Sequence, residues 1–194
     1  MHFGEPFGGL IPGSRGSVLG VLLRTGTPLT GRQIHGLLSD EHSLWSVQET
    51  LKTLTQLGIV ETQTIGRAGV HTINEEHVAV PHLRALIDPI GALKRLLDDA
   101  IGEDVESVII FGSVARGDAR IDSDVDLAVI SRDWNGGPDL EDLVRVRLGN
   151  NCDVLTFTPV EFRQLVGAGE PVVGDILRDG LALIGQMPWK AGVA

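Results

Sequence analysis

A single cysteine, Cys152, stands in 194 residues. That excludes an internal disulfide framework and suits a reducing compartment. The six histidines are scattered, so no Cys/His spacing of a zinc site occurs, and there is no Walker-type Gly-rich lysine loop. No apolar run is long enough to span a bilayer and no basic-then-apolar leader opens the sequence, so a cytoplasmic protein with no membrane partner is expected. Basic charge is also scarce: 16 Lys/Arg stand against 26 Asp/Glu, for a net charge of -10. Residues 1–80 carry 5 Lys/Arg and 7 Asp/Glu, and residues 81–194 carry 11 and 19. The first half therefore lacks the basic footprint of a strong DNA binder, and the second disfavours unassisted binding of long nucleic acid.

What the chain does have is concentrated between Phe111 and Ile130, FGSVARGDARIDSDVDLAVI. Val108 to Phe111 is a short apolar run bounded by Gly112, which reads as a strand. Val125, Leu127 and Val129 alternate with Asp124, Asp126 and Ala128 at strand spacing. Side chains two apart on a strand share a face, so Asp124 and Asp126 point the same way. Two carboxylates held side by side raise each other's pKa unless a cation lies between them. Hard oxygen donors of that kind suit Mg²⁺ or Mn²⁺. Gly112 lets a phosphate approach the backbone, and Ser113 adds a hydroxyl donor. The spacing sets a phosphate grip opposite a metal grip.

With Gly112, Ser113, Arg116, Gly117, Ser123, Asp124 and Asp126 in these places, the stretch resembles the active-site signature of the polymerase-beta-type nucleotidyltransferases, in particular the minimal nucleotidyltransferases. The resemblance runs from about Leu93 to Gly185. It implies a third carboxylate on a later strand, for which Asp153 in the run Cys152 to Phe157 is the match. It further implies transfer of a nucleoside monophosphate, expected to be AMP from ATP, to a hydroxyl acceptor with release of pyrophosphate. On that reading Asp124, Asp126 and Asp153 are the catalytic metal ligands, and Asp153 takes up the acceptor proton. Gly112 and Ser113 hold the phosphates, and Arg116 either neutralises phosphate charge or pairs with Asp118 or Asp122. The acceptor is open: a partner protein such as a HEPN-type toxin in a toxin–antitoxin pair, a drug, or a transfer RNA. The competing reading is a DNA-binding regulator whose nucleotidyltransferase fold serves as nucleotide sensor or docking surface.

Residues Pro138 to Leu148 carry apolar positions at helical spacing between the Asp126 and Asp153 strands, which predicts a strand–helix–strand unit with parallel strands. Thr158 to Glu161 forms a capping box that opens a further helix, and Leu177 to Gly185 closes the half. Cys152, next to Asp153, is expected to face the core.

The first half reads as helices over Ser17–Leu23, Thr30–Leu38 and Ser43–Leu57, the second opened by a Thr30–Gln33 capping box and the third closed by Gly58. Two strands follow, Ile59–Thr64 and Val70–Ile73, joined through Gly66, Arg67, Ala68 and Gly69. That order resembles a winged helix-turn-helix domain. Leu44, Val47, Leu51, Leu54 and Leu57 are expected in its core, with Trp45 partly buried. Ser43, Ser46, Gln48 and Lys52 on the recognition helix and Arg67 on the wing are the candidate DNA contacts. A second copy of the chain, giving a homodimer, or a partner protein are the alternatives to DNA. The predicted organisation is α+β: a winged helix-turn-helix over 1–80, a linker helix region over 81–101 broken at Asp88–Pro89, and a nucleotidyltransferase domain with a mixed sheet over 102–194. Gly4 to Gly13 reads as a flexible arm.

Overall fold

The computed structural model describes residues 1–102 and 104–188. Glu103 and the last six residues of the predicted 102–194 domain lie outside them. The chain divides into two units, residues 5–89 and residues 90–194, and the second also takes in Met1–Gly4.

In the first unit a 3₁₀ turn at Pro6–Gly9 leads to α1 (Ser14–Thr25), β1 (Leu29–Thr30), α2 (Gly31–Leu37), α3 (Leu44–Gln56), β2 (Val60–Ile65), β3 (Ala68–Ile73) and α4 (Val80–Leu86). Thr30 accepts from the Gln33 amide while the Gln33 side chain accepts from the Thr30 amide, so the capping box that starts α2 is complete. Ser43 caps α3 by accepting from the Ser46 amide at 3.2 Å. Val18, Leu22, Ile34, Val47, Leu51 and Leu54 join in one core.

Four expectations are corrected in this unit. Leu57 is 55% exposed, and Thr50 is buried on α3 instead, its hydroxyl bonded to Ser14 at 2.7 Å. Trp45 is 72% exposed rather than packed. The strand connection is only Gly66–Arg67, because Ile65 already pairs with Ala68. The Gly4–Gly13 stretch is no free arm, since Phe7 is 1% exposed within this core. β1 was not foreseen: its two residues pair antiparallel with β3, giving the order β1-β3-β2.

The second unit contains α5 (Pro89–Ala100), β4 (Val105–Phe111), α6 (Gly112–Arg116), β5 (Val125–Ser131), α7 (Gly137–Leu148), β6 (Cys152–Phe157), α8 (Pro159–Ala168), α9 (Pro171–Asp179) and β7 (Leu181–Gly185). The sheet is mixed, in the order β6-β5-β4-β7. β5 and β6 run parallel and are joined through α7, the long connection that parallel neighbours need, and the other pairs are antiparallel. β6 is an edge strand, and the Glu141 carboxylate of α7 accepts from the Val154 amide at 3.1 Å on its open side.

Both faces of the sheet are covered. Val125, Leu127 and Val129 pack with Leu93, Leu97, Leu140 and Val144 from α5 and α7. Ala128 and Ile130 pack with Ile109, Phe111, Phe162, Val173 and Ile176 on the α8/α9 side. Period two therefore places Asp126 on the α8/α9 face, at the entry of a strand that is otherwise buried on both sides. Among the described residues no helix is long and apolar enough to cross a membrane.

Candidate active site

β4 delivers Phe111 opposite Asp126 on β5, and the chain then turns at Gly112, φ +70°, straight into the five-residue α6. A Cβ on Gly112 would collide with the Asp126 carboxylate, with Cγ 3.0 Å and Cβ 3.4 Å away. Only a bare backbone in the left-handed region fits there. Gly112 and Ser113 thus open a helical turn rather than a loop, and the Ser113 carbonyl accepts from the Asp118 amide at 3.1 Å.

Asp153 sits directly beside Asp126 in the parallel register of β5 and β6, so both side chains project from one sheet face on neighbouring strands, about 4.8 Å apart in the ladder. Asp124 immediately precedes β5 and is exposed, as is Asp153, while Asp126 is half-buried. Partial burial pushes the Asp126 carboxyl above its ordinary range, Asp153 and then Asp124 add to the rise, and Arg116 opposes it. The donor set is carboxylate oxygen throughout, the hard-ligand chemistry that suits Mg²⁺ or Mn²⁺, and the repulsion among the three is what a cation relieves. Among the described residues no three such side chains already converge into a cage. The residues fit a divalent ion by their donor chemistry and by the register that sets Asp153 beside Asp126.

Arg116 ends α6 and pairs with Asp118 at 3.3 Å, the pairing that the sequence left open beside a phosphate role. It also acts on Asp126 and on Asp179, so its charge reaches the carboxylate site from the Asp118 pair. Hydrogen bonds from Arg178 hold the Asp179 carboxyl below its ordinary range. Cys152 points into the core on the α5/α7 side; burial above all, then Glu141 and the site carboxylates, push its thiol up to about 12. It stays protonated and is no nucleophile. A separate cleft of about 360 Å³, lined by Glu106, Ser107 and Phe162 among others, lies at the start of β4, the end of the sheet away from Asp126. Asp124 and Asp153 are themselves exposed to solvent.

In the first unit, Gln48 and Arg67 meet along one cleft of about 550 Å³ that Arg32, Thr30 and His71 also line. Lys52 follows Gln48 by four residues and shares its helix face. Ser43 and Ser46 are not part of this cleft, and the Ser43 hydroxyl is engaged as the cap of α3. Sequence reasoning missed Arg32; its place in the first turn after the Thr30 cap is the signal that could have found it. Burial lowers the His71 pKa, and its Nδ1 lies 2.9 Å from the Thr62 hydroxyl.

Residues 93–187 match the family model described as Polymerase beta, Nucleotidyltransferase, and this supports a nucleotidyl-transfer role for that segment. Similar solved structures include a toxin–antitoxin crystallised with AMP-PNP, at 20% identity and TM-score 0.39, covering 51% of this chain and 75% of that one. They also include two mutants of the toxin–antitoxin MntA-HpeT. The first is 18% identical with TM-score 0.38 and covers 50% of this chain and 74% of that one. The second is 20% identical with TM-score 0.36 and covers 50% and 72%. Comparison with curated proteins gives no match.

Proposed function

We propose that the unit built on residues 90–188 is a metal-dependent nucleotidyltransferase that moves AMP from ATP to a hydroxyl acceptor. One observation carries this reading: Asp153 stands in register beside Asp126, with Asp124 at the strand entry and the side-chain-free Gly112 turn against the same carboxylate. Asp124, Asp126 and Asp153 would hold Mg²⁺ or Mn²⁺, which supplies positive charge to the phosphorus centre and its oxygens. Ser113 and the Gly112 backbone hold the β and γ phosphates. Arg116 exchanges its Asp118 partner for phosphate oxygens, which its planar donors can bind in pairs. Asp153, exposed at the strand edge, accepts the proton of the acceptor hydroxyl at a carboxylate oxygen. The acceptor class we favour is a hydroxyl on a partner protein such as a HEPN-type toxin, because the acidic second half disfavours long nucleic acid.

The test is incubation with each of the four α-labelled nucleoside triphosphates and Mg²⁺, with and without lysate as acceptor source. Label transfer and pyrophosphate release from ATP are expected. Both should fall by at least about 10³-fold in the Asp124→Ala, Asp126→Ala double variant, the loss of several kcal/mol of charge stabilisation. Equal pyrophosphate release by that variant would sink the reading.

We further propose that residues 5–80 form a winged helix in which α3 and the Arg67 turn meet DNA, with Gln48, Lys52, Ser43 and Ser46 facing the groove. On operator-length fragments Arg67→Ala is expected to weaken binding equally across sequences and to reduce the salt slope by about 1. An unchanged slope would remove Arg67 from the phosphate contacts. The exposure of Trp45 on α3 and of Leu57 at its C-terminal cap favours a second reading, in which the same helix docks a partner protein.

A further inference from the structure

The loop that carries Asp124 is fastened at both of its neighbours by the residues that lead into the Asp153 strand. Asn150 is 4% exposed, and its Nδ2 donates to the Ser123 carbonyl at 3.2 Å. The next residue, Asn151, accepts the Val125 amide at 2.9 Å. Asp124 is thereby held between two ties to one dipeptide, and Asp153 follows that dipeptide after a single residue. Nδ2 also donates to the Met1 carbonyl at 2.9 Å, and Oδ1 accepts from the Met1 nitrogen at 2.6 Å. Ser123 in turn closes the loop on itself, its hydroxyl accepting from the Arg120 amide at 2.8 Å. On the far side of the loop His2 Nε2 lies 3.0 Å from the Ala119 carbonyl.

A buried amide with every polar atom engaged is expensive to remove, because each partner left behind loses its bond in a dry place. The partners here are the Ser123 carbonyl, next to Asp124, and the main chain of Met1, while Asp153 lies three residues further along from Asn150 itself. We infer that Asn150 is a positioning residue that fixes the separation of Asp124 from Asp153, with the Met1–Gly4 segment as its outer brace. The inference rests on the nucleotidyltransferase reading of those carboxylates. Removing the tie leaves all three carboxylates in the chain but lets the Asp124 loop drift from the β6 entry.

The experiment measures Mn²⁺ affinity by electron paramagnetic resonance and amide exchange over residues 118–126, in the full-length wild type and Asn150→Ala, well below the melting temperature of each. The variant is expected to bind Mn²⁺ about tenfold more weakly, the usual scale for losing a group behind a metal ligand. Its loop amides should exchange faster than the β4 and β5 core amides do. A purely structural asparagine would lower the melting temperature while leaving Mn²⁺ affinity within twofold, and that result overturns the inference alone. A wild type that binds no Mn²⁺ overturns the nucleotidyltransferase reading and this inference with it. If Asn150→Ala does not fold, His2→Ala decides: it cuts the brace at Ala119, and threefold weaker Mn²⁺ binding supports the inference where unchanged binding overturns it.

Discussion

Gly112→Ala is expected to cut nucleotidyl transfer by at least about 10²-fold, the scale of a reacting group displaced by an ångström, and to destabilise the fold by roughly 2 kcal/mol. Two costs combine at this residue. The backbone sits at φ +70°, where a Cβ is disfavoured by about 1 to 2 kcal/mol. The added methyl would also occupy the space of the Asp126 carboxylate, with Cγ only 3.0 Å away. Asp126 has a one-carbon stem, so the carboxylate escapes only by rotating out of its place between Asp124 and Asp153. If β4 and α6 yield instead, Ser113 moves with them. Gly169→Ala separates the two costs, since Gly169 has a similar φ of +72° at the end of α8 with nothing within 4 Å of the added methyl. That control is expected to lose about 1 kcal/mol by urea titration and to keep its transfer rate. Equal kinetic losses in the two variants would show that backbone strain, not the carboxylate clash, sets the effect.

The parts of this architecture that a reader of the sequence can recover are those written in short windows. The boxes Thr30–Gln33 and Thr158–Glu161 need only four residues each, and both form as spaced. The alternation from Asp124 to Val129 fixes which side chains share a face whatever the partners are. The break between α4 and α5 follows from Pro89 alone. What stayed hidden depends on pairings across the chain. β1 exists only because Leu29 and Thr30 reach His71 and Val70. Phe7 is buried because α1 and its neighbours close over it, although its Gly- and Pro-rich surroundings read as an arm. On α3 helical spacing counted Leu57 as core, but the helix ends at Gln56 and Thr50 takes the inward place. At the candidate site, no local signal sets Asp153 level with Asp126, and none marks Asn150; both follow from the β5–β6 register and from the 20 residues between those strands.

Asp126→Asn is expected to abolish transfer while making the metal-free protein more stable at neutral pH, two effects of opposite sign from one substitution. Burial, Asp153 and Asp124 together raise the folded-state pKa of Asp126 above the ordinary carboxylate value. A carboxyl raised in the folded state binds its proton more tightly there than in the unfolded chain. Its favourable contribution is complete below the unfolded value of about 3.9 and is lost as pH rises through the raised folded value. At pH 7 the ionised Asp126 therefore opposes folding, and the neutral, nearly isosteric amide relieves it. With chelator present, the melting temperature of Asp126→Asn should exceed that of the wild type at pH 7 by roughly 2 °C, solvent screening at this half-exposed site holding the gain down. The gain should fade as the pH is lowered through the raised folded-state value, where the wild-type carboxyl takes up its own proton. Mg²⁺ should then reverse the order, because a ligand held only by the folded state adds about 2.7 kcal/mol at a hundredfold excess over its Kd. Transfer should fall by at least about 10³-fold. A variant less stable than the wild type at pH 7 without metal, and raised by Mg²⁺ as much as the wild type, would mean that the three carboxylates are a solvated strand edge and not a site built to be neutralised.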